Sequence, residues 1–171
     1  MSAMFRSHLA VVVLVLSAIA CGGPPPPPAT PPGPPPAADK LLVNVDDAGV
    51  ALHGRDAVAY VTDHAVVQGS NAFASTRGGA IYWFASAEHK AAFESDAPRY
   101  EPRFGGYCAF AASQNRLSDI EPDQWKVQDG HLLLFTNASF HEQFDRDPDG
   151  NLKSADRNWP GLVTRFGKPA R

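Results

Sequence analysis

The chain has 171 residues, of which 44% are hydrophobic and 19% charged, and its formal net charge is −3. Eighteen acidic residues stand against fifteen basic ones, and no basic run interrupts them, which excludes nucleic acid and anionic lipid headgroups as natural partners. Two cysteines, Cys21 and Cys108, are too few for a disulfide framework.

In chain order, Arg6 and the apolar run Leu9 to Ile19 come first, followed by the small residues Ser17-Ala18-Ile19-Ala20 before Cys21. The run is too short to span a bilayer and reads as a cleaved export signal over residues 1–20. Small residues ending in cysteine resemble the lipobox of bacterial lipoproteins. That resemblance implies lipidation of Cys21 as the first residue of the mature chain. The alternative is an ordinary signal peptide cut near Ala20. Gly22 stands where aspartate would resemble inner-membrane retention, so the expected location is the bacterial cell envelope, anchored by lipid to the outer membrane and facing the periplasm.

Residues 21–38 form the lipidated cysteine and a tether. Ten of the sixteen prolines lie between Pro24 and Pro36. Proline fixes φ and lacks an amide donor, so this stretch reads as polyproline II reaching about 50 Å. A proline-rich ligand for a partner domain is the alternative reading. Residues 39–171 are left as one domain, with a net charge of −4 once Arg6 leaves with the leader.

Within the domain, Leu41 to Val45 predicts a first strand closed by an Asp46-Asp47 turn. Val50-Ala51-Leu52 and Ala57 to Val61 read as short apolar strands around a His53-Gly54-Arg55-Asp56 loop. Asn71–Thr76 and Ala80–Ala85 predict a hairpin across Arg77-Gly78-Gly79. Ser86 caps a helix through Glu94. Pro98 and Pro102 predict a loop ending at Gly105-Gly106, and Tyr107–Ala112 a short helix with Cys108 in its first turn. Trp125–Gln128 and His131–Phe135 flank Asp129-Gly130, a second hairpin. Ser139 caps a helix carrying Phe140 and Phe144, and Asp149–Asn158 predicts a last helix stopped near Trp159-Pro160. Helices and strands do not alternate, so the expected class is α+β: a small antiparallel sheet with hairpins, packed by several short helices.

Tyr82-Trp83-Phe84-Ala85-Ser86, then Phe93, Pro98 and Tyr100, resembles the YHS domain, a small module found in heavy-metal pumps and related metal-handling proteins. Asn44-Val45-Asp46, the stretch from Val50 to Tyr60, Gly69-Ser70, Gly105-Gly106-Tyr107-Cys108-Ala109 and Ala155-Asp156-Arg157-Asn158-Trp159-Pro160 resemble an exported branch of that family. The resemblance covers nearly all of residues 42–160. Metal-handling members usually carry three cysteines at positions that fall here on Ala59, Ala85 and His89. A three-thiolate soft-metal site is therefore not carried over. The exported branch keeps one cysteine in its Gly-Gly-Tyr-Cys segment, with selenocysteine near that position in some relatives, which implies a reactive chalcogen at Cys108.

From the residues alone, a single cysteine among Tyr107, Ala109 and Phe110 reads first as a small buried hydrophobe. Gly105-Gly106 allow a close backbone approach, and a helix starting at Tyr107 would favour a thiolate. Each histidine taken alone reads as a surface or hydrogen-bonded residue. The best constellation for a metal is Cys108 with His89, joined by His53, which suits copper or zinc. Cys108 with His131 or His141 and Asp119 or Asp129 has the residue types of a hydrolase, but no cysteine-hydrolase signature accompanies it. No phosphate-binding glycine loop is present, so no nucleotide cofactor is indicated.

The sequence thus predicts an envelope-tethered, YHS-like lipoprotein binding copper or zinc through Cys108 and histidine, for sensing, buffering or delivery. The first alternative is a thiol-dependent oxidoreductase in which Cys108 exchanges with an external thiol. The second is a structural or interaction module whose cysteine belongs to the core.

Overall fold

The computed structural model describes residues 40–169. The leader, Cys21 and the proline-rich tether lie outside the described residues. Two hairpins form where the turn chemistry predicts them. Strands β2 (Ser70–Arg77) and β3 (Ala80–Phe84) pair antiparallel, with Gly78 and Gly79 both at positive φ in the turn. Strands β4 (Trp125–Gln128) and β5 (His131–Leu134) pair in register around Asp129-Gly130, again both at positive φ. A third pairing joins β1 (Lys40–Leu41) to β6 (Lys168–Pro169), bringing the two ends of the domain together.

The expected strand Leu41–Val45 shrinks to β1 and one isolated bridge between Val45 and Ala51. The backbone beyond Leu42 is used elsewhere: the Asn44 amide donates to the Gly105 carbonyl, and Asp46 folds a turn by accepting the Ala48 and Val50 amides.

The largest departure lies at Ala57–Val61. This run is helix α1 (Ala57–Thr62), not a strand. Asp56 decides it, because its Oδ1 accepts the Val58 and Ala59 amides at 2.8 and 3.2 Å and so caps the first turn. Helix α2 (Ala87–Ser95) starts as expected, with the Ser86 hydroxyl accepting the His89 amide. Its Phe93 packs against Tyr82 and Phe84 of β3, with ring centroids 4.8 and 5.0 Å apart. All three rings are buried, so the aromatic strand and the helix phenylalanine form one packed unit.

The expected proline loop contains a single helical turn, α3 (Ala97–Tyr100), because Pro98 occupies a first-turn position where its missing amide costs nothing. A 3-10 turn over Arg103–Gly106 follows, then α4 (Ala109–Ser113), which Cys108 caps instead of lying within it. Helix α5 (Ala138–Asp145) is capped by Asn137, two residues earlier than Ser139.

Helix α6 (Pro148–Phe166) runs straight through Pro160, where the sequence predicts a stop. A helix-interior proline costs ~3 kcal/mol. Tertiary burial offsets it, since Ala155 and Leu162 on either side of the proline are fully enclosed and Trp159 packs edge-on against Phe104 at 5.7 Å. The described residues are α+β: six short to medium α-helices around three two-stranded antiparallel sheets.

Candidate functional site

Cys108 sits at the N-cap of α4, fully enclosed. Its Sγ accepts the Ala111 amide at 3.4 Å, its own amide donates to the Ser118 carbonyl at 3.1 Å, and its backbone bridges Leu134 of β5. Three elements thus close around the residue. It is a free thiol, and among the described residues no imidazole is hydrogen-bonded to it. The hydrolase pairing is not assembled: His141 stacks on Phe135 with centroids 4.2 Å apart and stands 3.6 Å from Asp145, while His131 is exposed at the start of β5.

His53 belongs to a different cluster. Leu52, His53 and Gly54 are three consecutive residues at positive φ, which buries Leu52 and turns His53 outward. The His53 Nε2–H donates to Asp119 Oδ1 at 2.9 Å. Asn44 Nδ2 donates to the same oxygen at 2.7 Å and the Ile120 amide at 2.8 Å. One carboxylate oxygen therefore ties together three separate chain segments.

Partial burial would by itself raise the Asp119 pKa. The hydrogen bonds from Asn44, His53 and Ile120, with the positive potential of His53, outweigh it and hold the carboxyl below its ordinary value. The unfolded chain therefore takes up the Asp119 proton at a higher pH than the folded one. The contribution is present above the ordinary aspartate value of about 3.9 and disappears as pH falls through the folded value. Because the side chain is 63% exposed, solvent screening keeps the effect small. Urea midpoints measured between about pH 5 and 2.5 should fall less steeply in Asp119→Asn than in the parent; parallel curves would show that this carboxylate does not contribute.

His89, one helical turn into α2, meets a buried carboxylate. Asp56 is fully enclosed, and its Oδ2 accepts the Ala85 amide and His89 Nδ1–H, both at 2.7 Å. With Oδ1 on the Val58 and Ala59 amides, the buried anion has four donors. The Asp56 bond places a proton on Nδ1, so in the neutral ring Nε2 is the nitrogen open to a ligand. That nitrogen stands 3.6 Å from Oδ2 of the half-exposed Asp63, whose other oxygen is held by Thr62 Oγ1 at 2.9 Å.

The structure does not bring Cys108, His89 and His53 into one group. Among the described residues, no three His, Cys, Asp or Glu side chains are arranged to share a metal ion. Cys108 faces the Ala111 amide, His53 faces Asp119, and His89 lies between Asp56 and Asp63. An open groove of about 560 Å³, lined by Leu41, Val43, Tyr107 and Phe166 among others, includes none of the three. Neither Asp56 nor Asp63 stands out as a site residue in the sequence. The signal for Asp56 was an aspartate directly before the apolar run Ala57–Val61, an N-cap pattern hidden by the reading of that run as a strand.

Comparison of the chain with models of protein families, with curated proteins and with solved structures finds no match.

Proposed function

We propose that the domain is a non-catalytic, envelope-tethered module of YHS type that holds a borderline metal ion reversibly at His89 and Asp63, with Cys108 serving as a core residue. One observation carries this reading: a buried carboxylate orients an imidazole so that its Nε2 lies 3.6 Å from a second carboxylate. That separation is beyond hydrogen-bond length. It matches two ligands on one tetrahedral ion, which at zinc–nitrogen and zinc–oxygen lengths of about 2.1 Å stand about 3.4 Å apart.

The donor chemistry selects the ion. An imidazole nitrogen and a carboxylate oxygen suit Zn(II), whereas Cu(I) favours thiolate, and the thiol is enclosed with its sulfur on a backbone amide. Two protein ligands leave the remaining positions to water or to a second molecule, which fits exchange and delivery better than permanent structural binding. His141 and Asp145 stand at the same 3.6 Å, but they form an i,i+4 pair on one helix, and among the described residues no carboxylate fixes the other ring nitrogen, so they provide an internal control.

Calorimetric titration of the full chain with Zn(II) should show one weak site. His89→Ala should abolish it, and Asp63→Asn should weaken it at least about tenfold, within the range seen when a metal-site partner is lost. Cys108→Ser and His141→Ala should bind as the parent does. Undiminished binding in His89→Ala overturns the site, and loss in Cys108→Ser would return the ligand role to the thiol.

A further inference from the structure

The groove of about 560 Å³ is built where the two ends of the domain meet, with residues of the β1–β6 pair and of the Asp46-Asp47 turn in its lining. Leu41, Val43, Tyr107 and Phe166 give it an apolar wall. Leu41 is 41% exposed and Phe166 53%, and these are the two exposed large hydrophobic residues among the described residues. One exposed leucine or phenylalanine is ordinary, but both of them in one groove make a contiguous apolar surface. Phe166 is also held in place. The Arg165 guanidinium lies 5.2 Å from its ring centroid and itself donates to Asn115 Oδ1 at 2.8 Å. A fixed, exposed aromatic ring beside a cavity is the kind of anchor that dominates contacts between proteins.

The same groove carries both signs of charge. Asp47 and Lys168 line it, both are exposed, and neither has an ion-pair partner among the described residues. The neighbouring charges are already engaged: Asp46 Oδ1 accepts the Ala48 and Val50 amides, and Lys40 Nζ donates to the Thr164 carbonyl. A ligand of one sign would satisfy only one of the two free groups. A second copy of this face, turned by a two-fold rotation, offers a lysine to each aspartate and an aspartate to each lysine. The groove also has room for a ring from outside. Gly49 and Gly79 line it without side chains, and a Cβ at either would meet nothing within 4 Å.

We infer that this groove is the contact face of a symmetric homodimer, in which Phe166 of each copy enters the groove of the other and Asp47 of each pairs with Lys168 of the other. Burial of the apolar wall supplies the affinity. The ion pairs at the rim stay near solvent, so they add little energy and fix the orientation of the two copies. His89 and Asp63 line no part of the groove, so the dimer is independent of the proposed metal site.

The test is sedimentation of the full chain with Cys21→Ser, which removes the acylation site and any disulfide between copies at that position. The dimer fraction should rise reversibly with protein concentration. Phe166→Ser should weaken the dimer at least about tenfold. Asp47→Lys and Lys168→Asp each set like charges together twice in a symmetric pair, and each alone should weaken it about tenfold or more. An equimolar mixture of these two variants should recover the dimer, because unlike copies again match opposite charges at both rim positions. Hydroxyl-radical footprinting should find Phe166 reactive where the chain is monomeric and protected where it is dimeric. Urea midpoints measured on the monomer should match the parent in every variant, and if Phe166→Ser fails to fold, Leu41→Ser takes its place. A parent that stays monomeric overturns the proposal. A dimer that survives in Phe166→Ser and in both charge variants does so too, as does a mixture that fails to recover. Protection of Phe166 in the monomer also overturns it, since the groove would then hold a segment of the same chain or a small ligand.

Discussion

Gly105→Ala should destabilise the domain by ~3 kcal/mol or more, and Gly106→Ala by only ~1–2 kcal/mol, in urea unfolding followed by tryptophan fluorescence. Both glycines sit at positive φ, +56° and +81°, so each substitution meets the left-handed backbone penalty of ~1 kcal/mol. They differ in what a side chain would meet. At Gly105 a Cβ would overlap the Leu42 carbonyl oxygen and lie 3.0 Å from its carbon and 3.2 Å from Val43 Cα, all of it main chain. At Gly106 the nearest atom is Pro102 Cγ at 3.3 Å, and a ring carbon can yield. The Leu42–Asn44 backbone cannot move away without losing the bond from the Asn44 amide to Gly105, which ties the first loop to the turn before Cys108. Equal losses at the two positions would show that φ alone matters and that the close approach does not.

Asp56→Asn should cost about 3 kcal/mol, and Asp56→Ala as much or more, by the same measurement. The carboxylate is fully buried and accepts from four donors: the amides of Val58, Ala59 and Ala85, and His89 Nδ1. An asparagine offers one carbonyl oxygen, and its amide group would turn donors toward donors. Alanine leaves all four unpaired and removes the cap of α1, worth ~1 kcal/mol by itself. The loss should exceed that of Asp119→Asn, because the Asp119 side chain is largely exposed and water can replace its hydrogen bonds. A near-neutral Asp56→Asn would mean that water or a shifted His89 replaces the missing acceptor. It would also remove the support for an oriented imidazole at the proposed metal site.

Cys108 and His89 show how far residue type carries an argument about a site. His89 stands out by its match to a ligand position of metal-handling members and Cys108 by the Gly-Gly-Tyr-Cys segment of the exported branch; the histidine lies in an early helix turn as expected, and the cysteine caps its helix instead of lying in the first turn. What each side chain faces was not legible, because it depends on residues distant in sequence. His89 meets Asp56 across 33 positions, and His53 meets Asp119 across 66.

Features with local causes are legible in the residues alone. The two hairpins follow from glycine turns between β-forming runs, the start of α2 from a serine hydroxyl placed to cap it, and the α+β class from the irregular succession of such units. The remaining features depend on contacts between segments distant in the chain. The cap that makes Ala57–Val61 helical is local to Asp56, but its complete burial depends on Ala85 and His89, which supply further donors from elsewhere in the chain. Helix α6 passed through Pro160 because packing on both sides of the proline outweighed a local penalty. Cys108 became a core residue for the same reason. Strand β5 bridges its backbone, Ser118 accepts its amide, and no periodicity in the residues near Cys108 encodes its burial.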